Sequence, residues 1–511
     1  MLGFCALFFS LSVSVFVISL SQIFLGLIWL LERDYKTKLK RVSGNKYFWL
    51  ITSVFFLHVA GVVYSSDLNY AMNDLRIKLP LILIPFFFAS IPSLSKKEIK
   101  IILYFFIAGL MISTSFSYYD YLSNIDGQGF DIRTASRFIS HVRLSLMLAF
   151  ATICLLHEFG NKENGIMHKV LAFLLAFAFM LYMVKLQMLT GILSFGIALF
   201  ILFELKYIRH PNKLFRNLAI AFPILTIISL SVYTYSIVST FISPKPLNDI
   251  ELVEKTASGN DYWSNKENLQ LENGNYVWDF LCEFEVKPAW EKRSKVEYYK
   301  MGYTGESVRT SLIRYLTSKN IHKDKEGVMG LSREEINAIE NGATNYLYIN
   351  EKGLSKRIYE TAWELHNYLV NNDNPSGNSV AQRLEFWRAA LHVISNNWIV
   401  GVGTGDVVVE LNKAYSELNS VLDKEFWHKP HNQYMTIFVS FGFIGLVWFL
   451  YVLISCMTPI RNNYLALTFF IIITLSMLTE DTLETQVGAT LYVGFLSFFV
   501  LGDRKEKEVA Y

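Results

Sequence analysis

At 511 residues, with 52% hydrophobic, 15% aromatic and only 18% charged, the chain lies off the soluble norm of roughly a quarter charged residues. A mean hydropathy of +0.31 points to a membrane protein, and a net charge of +3, from 47 basic and 44 acidic residues, offers no global basicity for nucleic acid. Cys5, Cys154 and Cys456 fall in apolar runs and only Cys282 in a polar region, so neither a disulfide framework nor a zinc-ligand spacing is available.

The opening Met1–Leu31 has no charged residue, no basic start and no small-residue cleavage site. It exceeds the roughly 7–15-residue core of a signal peptide and reads as a retained membrane helix. A span needs about 20 largely apolar residues, fewer where protein buries it. Eleven stretches qualify, with cores near 4–31, 47–64, 77–91, 99–116, 144–156, 170–184, 188–203, 218–242, 434–457, 464–477 and 487–501. The expected fold is an all-α polytopic membrane protein with about 11 (10–12) transmembrane helices.

Loop charges set the expected orientation, because short cytoplasmic loops are rich in Lys and Arg. Arg33, Lys36, Lys38, Lys40, Arg41 and Lys46 follow the first stretch, and Lys96, Lys97 and Lys100 the third. Lys206, Arg209, Lys213 and Arg216 follow the seventh, and Arg504, Lys505 and Lys507 end the chain. The loop 478–486 instead carries Glu480, Asp481 and Glu484. This parity predicts a cytoplasmic C-terminus and puts the long polar segment between the eighth and ninth stretches outside. The expected organisation is a membrane bundle of about eight helices over 1–242, a large outer loop domain over 243–430, about three helices over 431–502 and a cytoplasmic tail over 503–511. Trp263, Trp278, Trp290 and Trp363 supply core material for the loop domain. It should be mainly helical, with helices at 332–339, opened by a Ser332/Glu335 capping box, at 356–370 and at 380–395. The run NNDNPSGN at 371–378 breaks the last two.

Ionisable residues are nearly absent from the middle of the stretches; His58 is the clearest, and a packed structural role suits it. Polar residues gather at the outer ends: Asp67, Asp74 and Arg76; Arg133, Arg137, His141 and Arg143; Lys185; and Arg383, Arg388, His428, Lys429 and His431. Arginines converging on an outer face suit phosphate, because guanidinium is planar, bidentate and always charged. The alternative is that Arg133, Arg137 and Arg143 pair with Asp120, Asp126 and Asp131 on a solvated loop. GVGTGD at 401–406 resembles a phosphate-cradling loop but follows a helical pattern, so a tight turn is the better reading. His431-Asn432, then nine residues, then Gly442 and Gly445 form the strongest local pattern. A histidine at a helix mouth can take a proton from a hydroxyl, and glycines admit a neighbouring helix; a helix cap is the structural alternative.

With these segments in view, the chain resembles the superfamily of O-antigen ligases and O-antigen polymerases, bacterial envelope glycosyltransferases. The resemblance rests on DLNYAMNDLRIKLPLILIP, RFISHVRLSLML, SVAQRLEFWRAALHVISNNWIVGVGTGD, HNQY with its two glycines, and TEDTLETQVG. It implies glycan transfer from an undecaprenyl-diphosphate carrier to an acceptor glycan, lipid A-core or protein hydroxyl. The setting implied is the periplasmic face of the inner membrane among bilayer lipids, with no cofactor, no metal and no nucleic acid. Carried over by position, His431 matches the general base and Arg383 the diphosphate-binding loop arginine, with Arg137, His141, Arg143, Lys185, Arg388 and Lys429 as further substrate-binding candidates. Members commonly have an arginine in a Ser-Arg-Thr-Gly or Ser-Arg-Gly stretch where this chain reads Met188-Leu189-Thr190-Gly191, and Lys185 is the candidate substitute. A lipid or polysaccharide transporter is the rival class.

Overall fold

The computed structural model describes residues 1–124, 132–208, 211–242, 255–265, 267–301, 306–350 and 354–503. Asp126, Asp131, Arg209, residues 243–254 and the tail residues 504–511, with Arg504, Lys505 and Lys507, lie outside the described residues. The chain is all-α. It runs through α1 (Leu2–Ser10), α2 (Val15–Leu31), α3 (Tyr35–Ser43), α4 (Lys46–Val62), α5 (Leu68–Lys78), α6 (Pro80–Ser90), α7 (Lys96–Asn124), α8 (His141–Gly160), α9 (Ile166–Lys185), α10 (Leu189–Tyr207) and α11 (Lys213–Ile242). A two-stranded antiparallel hairpin follows, β1 (Leu271–Glu272) with β2 (Asn275–Tyr276). Next come α12 (Glu283–Arg293), α13 (Val308–Ser318), α14 (Lys325–Met329), α15 (Arg333–Glu340), α16 (Leu347–Asn350), α17 (Leu354–Asn371), α18 (Ser379–Asn396) and α19 (Val407–Glu417). The chain closes with α20 (Gln433–Ile460), α21 (Tyr464–Ser476) and α22 (Gln486–Ser497).

Among the described residues six helices are long and apolar enough to cross a membrane: α7, α8, α9, α10, α11 over Lys213–Ser239, and α20. Four shorter apolar helices, α2, α4, α21 and Gln486–Gly502, add to them. The first stretch, expected as one helix, is two. Ser12, Val13 and Ser14 are weak helix formers, and Ser14 is extended at φ −169°. On α7, a Cβ at Gly109 would stand 2.2 Å from the Phe9 carbonyl oxygen, so the chain turns beneath a close helix contact.

Two compact units form, 1–210 with 386–420 and 427–511, and 211–385 with 421–426. These boundaries differ from the expected ones: residues 386–420 pack with the membrane helices, and α11 belongs to the second unit. In the first unit α8 is buried from Leu144 to Leu155 and packs on α9, α10 and α21. Phe495 of α22 meets Phe8, Phe150 and Phe469 with ring centroids 4.7–4.9 Å apart, in the range of favourable aromatic pairs. On α9, Val170, Leu174, Phe177 and Leu181 form an exposed apolar stripe suited to lipid.

Helix α20 is broken at Gly442 (φ 62°, ψ −164°). Its freed backbone is paired by the chain at 398–403: Val402 N donates to Val439 O at 3.0 Å, Gly403 N to Ser440 O at 2.9 Å and Phe443 N to Trp398 O at 2.7 Å. Non-helical backbone at membrane depth is tolerated where protein satisfies it in this way. A Cβ at Gly442 would lie 2.3 Å from Ile399 backbone atoms, so Gly442 admits a loop rather than the expected neighbouring helix. Gly445 faces Phe441 of its own helix and Leu57 of α4.

In the second unit, Trp290, Tyr298, Leu312, Ile313, Tyr315 and Leu316 form the core. Trp278 and Trp363 are half-buried against core clusters, whereas Trp263, expected inside, is 52% exposed. It contributes its backbone instead, bridged to Leu281. The Ser332/Glu335 capping box is present. The helices expected at 356–370 and 380–395 are α17 and α18, and the break between them turns at Asn372 (φ 55°) and Gly377 (φ 90°).

Candidate active site around His431

His431 lies two residues before α20 with φ 49°, a left-handed conformation that costs most side chains energy but is relatively accessible to His and Asn. Asp481 holds it there. One carboxylate oxygen accepts from His431 N at 2.9 Å; the other accepts from Asn432 N at 3.1 Å and Thr436 Oγ1 at 2.6 Å. The helix cap is Asn432, which accepts from Met435 N at 3.1 Å, so capping does not occupy the histidine. The His431 ring is partly exposed and lies 5.6 Å from the Phe386 ring and 6.1 Å from that of the exposed His428. Trp387 Nε1 donates to Pro430 O at 3.0 Å, tying α18 to the same segment.

Beneath this turn lies a buried chain of charges. His58 Nδ1 is 3.3 Å from Asp74, and Asp74 pairs with Lys78 one turn along α5. Lys78 also lies 3.1 Å from Glu484, whose second oxygen is 2.5 Å from Lys429. Burial opposes ionisation of Glu484, but the Lys429 and Lys78 ammonium groups outweigh it and hold its carboxyl below the usual range. Burial opposes charge on Lys429 as well, and Glu484 outweighs that, holding the ammonium above its ordinary value. His58 is buried and packed, its ring set edge-on to that of Phe441 with centroids 4.7 Å apart. Lys78 carries no local signature in the sequence, and Asp481 and Glu484 read there as loop acids. The available signal was the acid-only loop beside a helix start with no local cation to balance it.

Burial pushes the Asp481 carboxyl up from 3.8 to about 6, with Thr436 opposing. A carboxyl raised on folding stabilises the protein fully below its unfolded value, and that stability is lost as pH rises. Asp481 therefore withdraws stability between pH 3.8 and about 6, with a slope of at most roughly 1.4 kcal/mol per pH unit. Asp481→Asn abolishes this contribution. In thermal unfolding across pH 4–7, the melting temperature of the variant relative to wild type should rise with pH; a constant difference would refute the assignment.

The other candidates fall into groups. Arg143, at the start of α8, donates to Ser140 Oγ at 3.0 Å. His141 Nδ1 lies 3.0 Å from Ser136 Oγ. Arg137 pairs with Asp120 at 3.3 Å on an exposed surface, the solvated arrangement considered as the alternative. Lys185 ends α9, exposed and without a hydrogen bond or ion pair among the described residues. Just beyond it a Cβ at Gly191 would lie 2.6 Å from Ser145 O, so α10 starts hard against α8. Arg388 is exposed and donates to Leu418 O at 3.2 Å. Lys429 turns inward to Glu484. Arg383 lies half-buried in the second unit on α18, where nearby Glu385 accepts from Tyr368.

GVGTGD is a tight turn and not a phosphate cradle. Its amides are already engaged: Val402 and Gly403 by α20, Thr404 by Gly61 O at 3.3 Å and Gly405 by Ser65 Oγ at 2.8 Å. Asp406 accepts from Ser66 N and Asp67 N at 2.8 and 2.9 Å. The loop straps the end of α4 to the break in α20.

Together these features define an all-α polytopic membrane protein with a polar, histidine-bearing centre at one end of a broken helix. Residues 334–450, under a quarter of the chain, match the family model described as O-Antigen ligase. The match takes in Arg383, Arg388, GVGTGD, His431, Gly442 and Gly445. No curated protein matches the chain.

Proposed function

We propose that this protein transfers a glycan from an undecaprenyl-diphosphate carrier to an acceptor hydroxyl at the periplasmic face of a bacterial inner membrane, with inversion. The observation that carries this reading is His431: Asp481 fixes its backbone, Asn432 rather than the histidine caps α20, and the imidazole stands at the mouth of the broken helix. It takes the hydroxyl proton as the diphosphate leaves, the role of a general base. Arg383 and Arg143 bind the departing diphosphate, with Arg137, His141, Lys185 and Arg388 supplying further positive field or donors and Lys429 acting through Glu484. Such fixed donors stabilise charge that develops in the transition state. The topology that accompanies this reading has about eleven spans, the large polar segment periplasmic and the C-terminus cytoplasmic.

Purified protein in liposomes with carrier-linked glycan and separate acceptors tests it. A new glycosidic bond to glycan, lipid A-core or protein is expected, and the product names the acceptor. The rival is a transporter, which would share the many helices and the arginine-rich outer surface; the near absence of ionisable residues from the middle of the spans stands against it. Translocation of the carrier-linked glycan without bond formation would decide for it.

A further inference from the structure

The second unit contains a cavity of about 660 Å³ among α13, α15, α16 and α17, lined by none of the residues assigned above to transfer. Its floor is the buried Arg314, paired at 2.7 Å with both Glu272 and Glu306 and lying 3.8 Å over the Trp363 ring. Glu272 is wholly buried and also accepts from Asn345 and Tyr359, so this anchor is fixed. Glu306 differs: one carboxylate oxygen is on Arg314, and the other has no hydrogen-bond partner among the described residues. The Glu306 side chain is 32% exposed, so it presents a carboxylate to the cavity. From α15, Asn337 adds an exposed amide, and Tyr348 of α16 adds an aromatic face with Lys356 at 5.0 Å.

Charge narrows the ligand. Glu306, Glu334 and Glu360 stand against Arg314 and Lys356, three negative charges against two positive, and Glu272 lies beneath. Such a wall repels phosphate and uronate. Carboxylates and an amide that can take hydroxyl or ammonium donors, beside an aromatic face, suit a sugar ring, and the volume lies within the roughly 300–1,000 Å³ of small-ligand sites. We propose that this cavity binds a neutral or amino sugar, one residue of the glycan that the enzyme donates or receives; this rests on the glycan-transfer reading.

The test is saturation-transfer NMR on the full-length protein in detergent, with N-acetylglucosamine, glucosamine and glucuronic acid as probes. The first two should receive saturation and glucuronic acid should not. Asn337→Trp, at an exposed helix position where the indole can enter the cavity, should lose the signal, and Glu306→Gln should weaken glucosamine most. His431→Asn is run alongside and should keep the sugar signal while losing transfer, which separates a failed cavity from a failed active site. No signal from either sugar, equal signal from glucuronic acid, or an undiminished signal in both cavity variants would overturn the proposal.

Discussion

His431→Asn should lower glycan transfer by a factor of about 10²–10⁴, the usual loss with a general base, while the protein still folds and inserts. Asparagine makes this a clean substitution. It tolerates the left-handed backbone that His431 adopts at φ 49°, and it keeps the main-chain N–H that Asp481 accepts. Alanine would add backbone strain and confuse the result. Turnover in liposomes measures the first quantity, and size-exclusion profile with melting temperature the second. Near-wild-type transfer in a well-folded variant would remove His431 from the mechanism and pass the base role to His428, three residues earlier.

Glu484→Gln should be the most destabilising single change at the site. It leaves the buried ammonium of Lys78, 1% exposed, and that of Lys429 without their shared carboxylate. Breaking a buried ion pair by removing one partner costs about 3–5 kcal/mol. Lys78 retains Asp74, which places the expected loss near the lower end. Adding Lys429→Met to Glu484→Gln removes a stranded charge and should recover part of the loss. Thermal unfolding of the single and double variants checks this; a double variant less stable than the single would show that the pair is not an energetic unit.

The parts legible in the sequence are those governed by local pattern. Helices α17 and α18 lie within two residues of their expected limits because apolar periodicity, Asn372 and Gly377 mark their ends. The turn between α1 and α2 was not legible, because Leu11-Ser12-Val13-Ser14 is apolar enough to continue a span and the chain bends there under contact with α7. At the site, the pattern around His431 was visible, but the choice between base and cap was not. Two adjacent polar residues can each cap a helix, and only the backbone, φ 49° at His431 against −150° at Asn432, assigns the cap. Asp481 and Glu484 read as solvated loop acids because their partners, His431, Lys429 and Lys78, lie about 50 to 400 residues away. Charges that balance only across such separations carry no local signature.

The break in α20 has a consequence for how the chain is made. Val439 and Ser440 carbonyls and the Phe443 amide need residues 398–403 as partners, and an unpaired backbone group in hydrocarbon costs several kcal/mol. The ribosome delivers those partners before α20, so the kinked helix meets its strap on arrival and insertion can follow the order of synthesis. A circular permutation opened between Asp406 and Gln433 would reverse that order: α20 would enter the bilayer first, and its cheapest early form would be an unbroken helix, with the turn around Gly442 left to be made afterwards against the hydrogen bonds already formed.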